Sequence, residues 1–149
     1  MIKGIYEGHL PVSNLEQSIK FYENLGLELA SMGENLAFFW IEKGKSWLGL
    51  WEGSQVQIPY HVSIRHVAFQ IDLEDMKKAK AWLKERSVDV VDIFHFSPER
   101  QPLVLPNYPH AHAAIYFEDP DGNLLEFISP LRIDGKEKFE MMELNQWNE

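Results

Sequence analysis

A single carboxylate in an apolar, strand-like segment is the first residue of this chain that requires a chemical explanation. In the segment LLEFI, the alternation of a strand places Glu126 on one face with Leu124 and Ile128. A carboxylate between apolar neighbours is costly unless a counter-charge or a metal ion compensates it. The segment therefore leaves three interpretations open: a metal ligand, a buried salt bridge, or an exposed strand face.

The elements around Glu126 form the second half of an internal repeat. Each half shows the pattern of a strand, a helix and three further strands, which predicts two βαβββ modules at residues 1–52 and 64–130. Residues 53–63 have no clear period and are interpreted as a linker. Residues 131–149 form a tail for which a short amphipathic helix is expected, with no chemistry assigned.

The repeat also aligns residues that have chemical potential. Glu7 and His66 each lie five residues before the end of the first strand of their module, and Gly49 matches Glu126 in the last strands. The predicted fold is α+β, with the two repeats forming a cupped, mixed β-sheet with flanking helices. His112 joins the cup if its strand keeps the same parity. The other residues expected to face into the cup are Glu7, His9, Trp47, Gly49, Trp51, His66, Gln70 and Glu126.

Local signals predict the individual elements. Ser13 is the expected N-cap of the first helix, and the second helix is expected at 73–86. A strand is expected at 88–94, and the proline-rich segment 97–109 is interpreted as a long irregular loop. Residues 119–122, DPDG, predict a tight turn in which the aspartates serve as turn formers without a catalytic role.

Composition limits the classes of partner. The 149 residues include no cysteine, which excludes disulfides and a thiol nucleophile, and the net charge is −9. That charge argues against nucleic acid and anionic membranes as partners. No apolar run approaches the roughly 20 residues of a membrane span and no signal-peptide pattern opens the chain, so a cytoplasmic location is expected.

Three segments carry a family resemblance. The hairpin FEDPDGNLLEFISP at 117–130, the opening segment HLPVSNLEQSIKFYENLG at 9–26 and the strand RHVAFQI at 65–71 resemble signatures of the vicinal-oxygen-chelate superfamily. That superfamily includes glyoxalase I, fosfomycin-resistance thiol transferases, extradiol dioxygenases and bleomycin-resistance proteins. The resemblance spans roughly residues 3–130, and it is more specific for the fold than for the reaction.

The resemblance implies a divalent metal ion held by residues of the cup. His66 and Glu126 match two of the usual ligand positions, Glu7 stands where the first module usually has a histidine, and Gly49 stands at an optional fourth position. The implied metal set is Glu7, His66 and Glu126, for Mn, Fe, Zn, Ni or Mg. His9 is the alternative to Glu7. Two residues along a strand span about 6–7 Å, so both cannot fill one ligand position.

The expected function follows from this site. The leading hypothesis is a metal-dependent enzyme of the glyoxalase/dioxygenase type that acts on a small substrate chelated to the ion, with Glu7 and Glu126 as the catalytic carboxylates. The expected substrate-binding residues are His9, Trp47, Trp51 and His112. The alternative is a metal-free protein that sequesters a bulky aromatic compound in an acidic, aromatic-lined cup. A homodimer is expected, and the linker would permit an exchange of modules.

Overall fold

The computed structural model describes residues 4–53, 65–106, 111–132 and 139–147. The chain divides into two compact units. The first contains residues 1–65 and also 119–123, and the second contains residues 66–118 and 124–149. Apart from Gly53, the expected linker lies outside the described residues, and the expected module boundaries stay a prediction.

The first unit is a four-stranded mixed sheet with one helix. Strand β1 is parallel to β4, and the sheet order is β1-β4-β3-β2, with the remaining pairs antiparallel. Buried and more exposed residues alternate along β3 and in the second half of β1, whereas the three central residues of β4, Leu48, Gly49 and Leu50, are all buried. The elements are β1 Glu7–Val12, α1 Leu15–Asn24, β2 Glu28–Met32, β3 Leu36–Glu42 and β4 Ser46–Glu52.

Helix α1 begins one residue later than the sequence predicts. The N-cap is Asn14, whose side-chain oxygen accepts from the Gln17 N–H at 2.9 Å, so the expectation for Ser13 is wrong. Ser13 instead donates its backbone N–H to Asp121 at 2.9 Å. The helix ends at Asn24, and Gly26 follows it with φ of 89°, a conformation that favours glycine.

The second unit is a five-stranded mixed sheet in the order β5-β8-β7-β6-β9, with β5 parallel to β8. The α+β fold with repeated βαβββ units is thereby confirmed, since both sheets start with a parallel pair formed by the first and a later strand. None of the described helices is long and apolar enough to cross a membrane. The elements are β5 His66–Gln70, α2 Leu73–Met76, α3 Ala79–Glu85, β6 Leu103–Leu105, β7 His112–Glu118, β8 Leu124–Pro130 and β9 Met142–Glu143, with 3₁₀ turns at Pro98–Arg100 and Leu144–Gln146.

Three local predictions for this unit are wrong. The expected helix at 73–86 is two helices, and Met76 and Ala79, on either side of the break, are both buried. The expected strand at 88–94 forms no ladder, and its place in the sheet is taken by β6 from the proline-rich segment. The expected tail helix is replaced by β9, which pairs with β6, and by a 3₁₀ turn. The fully buried run of β6 provides the apolar surface that its position beside β7 requires.

Candidate functional site

Four side chains of the first unit form a continuous hydrogen-bond network. Glu7 Oε1 lies 2.7 Å from His9 Nε2, and Glu7 Oε2 accepts from Trp47 Nε1 at 2.5 Å. Trp51 Nε1 donates to His9 Nδ1 at 2.6 Å. Strand register explains the grouping, because Glu7 is the neighbour of Trp47 in the β1/β4 pair, and His9 is the neighbour of Gly49.

The network fixes the proton positions. Indole N–H is only a donor, so His9 Nδ1 must be an acceptor, and its proton then lies on Nε2, which donates to Glu7. Glu7 is therefore a carboxylate that accepts at both oxygens. Two hydrogen bonds hold the pKa of Glu7 below its ordinary value. The one from His9 has the larger effect, and the one from Trp47 adds to it.

Gly49 makes room for the imidazole of His9. A Cβ atom at position 49 would lie 2.3 Å from His9 Nδ1 and 3.0 Å from Phe38 Cε1. The ring of His9 thus occupies the volume that a side chain on this residue of β4 would require. Gly49 is the residue that the alignment of the two modules matches with Glu126, and the packing of His9 explains why this position is a glycine.

Aromatic rings surround this network on the same unit. Trp47 lies against Phe38 and Trp40 with ring centroids 4.6 and 5.1 Å apart, and against Tyr6 at 5.5 Å. Tyr6 is more than half exposed. The face formed by β1, β4 and β3 therefore combines the carboxylate of Glu7 with several indole and phenyl surfaces, which suits flat or cationic groups.

The second unit contains the other chemical centre, formed by His66 and Glu126. His66 Nε2 lies 3.1 Å from Glu126 Oε2, and His66 Nδ1 lies 3.1 Å from the carbonyl of Leu124. His66 begins β5, and the parallel β5/β8 register aligns it with Leu124, two residues before Glu126. This alignment places both groups on one face, since side chains in a strand repeat every two residues.

The proton balance of this pair is unusual. A carbonyl oxygen accepts only, so Nδ1 of His66 carries a proton, and in neutral imidazole Nε2 would then be an acceptor facing the carboxylate of Glu126. Two acceptors at this distance need a proton or a cation between them. Without a metal, the hydrogen bond to Glu126 raises the pKa of His66, against the opposing effect of burial.

One oxygen of Glu126 has no hydrogen-bond donor among the residues that the structure describes. Glu126 is 5% exposed, and this buried oxygen is Oε1. His112 Nε2 lies 3.7 Å from this oxygen, which is longer than a hydrogen bond. Tyr116 is the neighbour of Glu126 in the β7/β8 register, and burial together with that carboxylate raises the pKa of its phenol. Within the described part of the chain, Glu126 is thus a buried carboxylate whose Oε1 has no hydrogen bond, an arrangement that a bound cation would stabilise.

The turn at 119–123 belongs to the first unit and forms a buried polar network there. Asp119 accepts from Tyr22 at 2.9 Å and from the Asn123 amide at 2.6 Å. Asn123 also donates to the carbonyl of Pro11 at 2.9 Å and accepts from Arg65 Nε at 2.7 Å. The turn is confirmed, but its polar residues do more than form it. Sequence reasoning missed this role because Tyr22 and Asp119 lie far apart in the chain.

The structure brings some of the predicted site residues together. His66, His112 and Glu126 lie around one another in the second unit, and Glu7, His9, Trp47 and Trp51 do so in the first. Among the residues that the structure describes, no group of three or more His, Cys, Asp or Glu side chains has the spacing to hold a metal ion. The expected ligand set of Glu7, His66 and Glu126 stays a prediction.

Comparison with known proteins identifies the family. Residues 6–127 match the Glyoxalase/Bleomycin resistance protein/Dioxygenase superfamily. The chain is 35% identical over 130 residues to a protein of Staphylococcus epidermidis named Metallothiol transferase FosB. The aligned region covers 85% of this chain and 83% of that protein. The chain therefore belongs to the glyoxalase/bleomycin resistance protein/dioxygenase superfamily.

Solved structures support the fold. The integron cassette protein HFX_CASS4, from the mobile metagenome of the Halifax Harbour sewage outfall, superposes with a TM-score of 0.66 at 26% identity, over 86% of this chain and 99% of that one. The fosfomycin resistance protein FosX from Listeria monocytogenes superposes with a TM-score of 0.63 at 24% identity, over 92% of this chain and 100% of that one. At this level of identity, the FosX structure informs the fold alone.

Proposed function

We propose that this protein is a divalent-metal-dependent enzyme that acts on a small, oxygen-bearing substrate, and that the reaction is the transfer of a thiol. The observation that carries the proposal is the pair of His66 and Glu126, a histidine nitrogen and a buried carboxylate that face each other without a complete set of donors. The similarity to proteins named metallothiol transferases supports the reaction class.

The residues of the second unit fit a metal ion. The Nδ1 proton of His66 is held by a backbone carbonyl, which leaves Nε2 as the ligating atom and is the usual second contact of a metal-bound histidine. Glu126 offers the buried oxygen Oε1, to which no described residue donates a hydrogen bond. One imidazole and carboxylate oxygens suit Mn²⁺, Fe²⁺, Zn²⁺, Ni²⁺ or Mg²⁺. A bound ion would supply Lewis-acid polarisation of a substrate oxygen.

The chain's own side chains have separate roles in this proposal. His66 and Glu126 would bind the ion, and Glu7 is proposed as the third ligand. His112, which lies 3.7 Å from Glu126, would move a proton to or from the substrate. The aromatic residues around Glu7, which include Trp47 and Trp51, would bind the apolar part of the substrate or the thiol.

The test combines metal binding with a thiol assay. Chelator-treated protein should gain thermal stability when Mn²⁺ or Zn²⁺ is added, and His66→Ala and Glu126→Ala should abolish the gain. A free metal concentration a hundredfold above the dissociation constant should raise the free energy of unfolding by about 2.7 kcal/mol. Loss of free thiol, with L-cysteine or glutathione as the thiol and fosfomycin as the probe electrophile, then tests the reaction. No metal-induced stabilisation of the wild type would refute the proposal.

A second candidate function is a metal-free protein that binds an aromatic or cationic compound. It is supported by the aromatic face of the first unit, where Glu7 already accepts two hydrogen bonds and several rings lie around Trp47. Metal analysis of protein purified without chelators separates the two candidates.

A homodimer is also proposed, from the family resemblance, and a monomer mass from light scattering at micromolar concentration would contradict it.

A further inference from the structure

A strained turn lies beside the centre formed by His66 and Glu126. Ile93 and Phe96 exchange backbone hydrogen bonds of 3.1 and 2.8 Å, and the two residues between them have positive φ, 49° for Phe94 and 66° for His95. Two consecutive left-handed residues characterise a type I′ turn, where Asn-Gly is the preferred pair. Phenylalanine is disfavoured in this conformation. Histidine is one of the non-glycine residues enriched there but still fits it less well than glycine, so the sequence FH costs the fold some stability at this turn.

The strain is not compensated by burial of Phe94. Ile93 and Phe96 pack against the apolar cluster that contains Tyr116, and thereby anchor the turn. Phe94 itself remains 49% exposed. An exposed phenyl group at a position that prefers asparagine or glycine contributes little to stability, and such strain concentrates at functional sites.

The ring of Phe94 contacts Tyr116, which borders the chemical centre. The two rings are perpendicular to each other, with centroids 5.8 Å apart. Tyr116 in turn stacks on His66 with centroids 6.3 Å apart, and it is the register neighbour of Glu126. One aromatic ring therefore separates Phe94 from the imidazole and the carboxylate.

We propose that Phe94 is a substrate-contacting residue that selects small molecules carrying a flat apolar group next to their metal-binding oxygens. The proposal rests on the proposed function of the His66–Glu126 centre. In it, the strained turn holds the ring at the rim of the site, where a substrate ring packs against its exposed face. The phenyl group takes no part in proton transfer and acts on substrate affinity alone.

Two variants separate the ring from the strain. Phe94→Asn removes the ring and supplies a side chain that tolerates the left-handed conformation, whereas His95→Gly relieves strain and keeps the ring. In metal-free protein, His95→Gly should raise Tm by about 1–4 °C, and Phe94→Asn should stay within about 3 °C of the wild type. A fall of more than about 6 °C in Phe94→Asn would overturn the proposal, because it would show that the ring supports the core.

Ligand affinity is measured with two chelators that differ only by a ring, benzohydroxamate and acetohydroxamate, on Mn²⁺-loaded protein. The wild type and His95→Gly should bind benzohydroxamate about three- to tenfold more tightly than acetohydroxamate, and Phe94→Asn should lose most of this preference. An unchanged preference in Phe94→Asn, or no preference in the wild type, overturns the role of Phe94. Failure of both chelators to bind instead refutes the metal site and the proposed function with it.

Discussion

Replacing Gly49 by alanine is the sharpest test of the network in the first unit. The new Cβ would lie 2.3 Å from His9 Nδ1, whereas ordinary contacts are 3.4–4 Å, so the imidazole must move by about 1 Å or more. Such a movement breaks the hydrogen bond from Trp51 and displaces the donor of Glu7. The fold itself is expected to survive, because the obstructing group is a side chain at the surface.

The magnitude follows from two opposed effects. Forcing an extra methyl group against a packed side chain costs about 1–3 kcal/mol. Alanine in a strand gains about 0.5–1 kcal/mol over glycine, since the φ of Gly49 is not in the left-handed region. The net destabilisation of Gly49→Ala should therefore be about 0–2.5 kcal/mol.

The His9→Ala background provides the matched control. With the imidazole absent, Phe38 Cε1 at 3.0 Å is the remaining close atom, and Gly49→Ala should become neutral or stabilising. Urea unfolding of the wild type, the two single variants and the double variant gives the coupling energy, expected at about 1–2 kcal/mol. Additivity within about 0.5 kcal/mol would refute the reasoning, because it would show that the glycine and the histidine are independent.

Two further predictions concern the second centre and the buried turn. In metal-free protein, NMR titration should place the pKa of His66 above the ordinary histidine value, and Glu126→Gln should lower it. The folded state holds the His66 proton more tightly than the unfolded chain does. The stability that this proton contributes is therefore full below the unfolded pKa and is lost as the pH rises through the folded pKa. A difference in stability between the wild type and His66→Gln that stays constant across this pH window would contradict the prediction. Asn123→Ala should cost about 2–4 kcal/mol in urea unfolding, since it removes partners of Arg65, Pro11 and Asp119 in a buried network, while the exposed Asn145→Ala should stay within about 0.5 kcal/mol of the wild type.

Alternation along strands was sufficient to predict which residues share a face. It grouped Glu7 and His9 with Trp47 and Gly49, and the structure pairs these residues across β1 and β4. It also predicted His66 and Glu126 on one face, and they lie 3.1 Å apart. A period of two residues is a local property, so the sequence carries it directly.

Features that depend on contacts between distant segments were not predictable in this way. Strand β6 is three residues long and follows a proline, so its apolar run did not stand out from the irregular segment around it. The bond from Tyr22 to Asp119 joins residues 97 positions apart. The space above Gly49 is set by the rotamer of His9, which no sequence pattern reports. The positive φ angle of Phe94 likewise contradicts local preference, so the turn at Phe94 and His95 could not be predicted from propensity.

The choice between Glu7 and His9 as the third metal ligand can be argued from lone pairs. Each imidazole nitrogen can make one hydrogen bond or bind one metal ion, and both nitrogens of His9 are already in use. Nδ1 accepts a hydrogen bond from Trp51, and Nε2 donates one to Glu7. Each carboxylate oxygen has two lone pairs, so Glu7 can keep its bonds from His9 and Trp47 and still offer a lone pair to an ion. Glu7 is therefore the expected ligand, with His9 as the residue that orients it.

Variants of Glu7, His9 and Trp51 should therefore weaken metal binding to different degrees. Glu7→Ala should lose the Mn²⁺-induced rise in Tm, whereas His9→Ala should retain it at higher metal concentration, because the carboxylate remains but is less well oriented. Trp51→Phe is the matched control, since it removes the donor to His9 Nδ1 and keeps an aromatic ring; it should weaken metal binding less than His9→Ala. Retained stabilisation in Glu7→Ala together with its loss in His9→Ala would reverse the assignment, and it would mean that Nε2 of His9 gives up its proton to bind the ion.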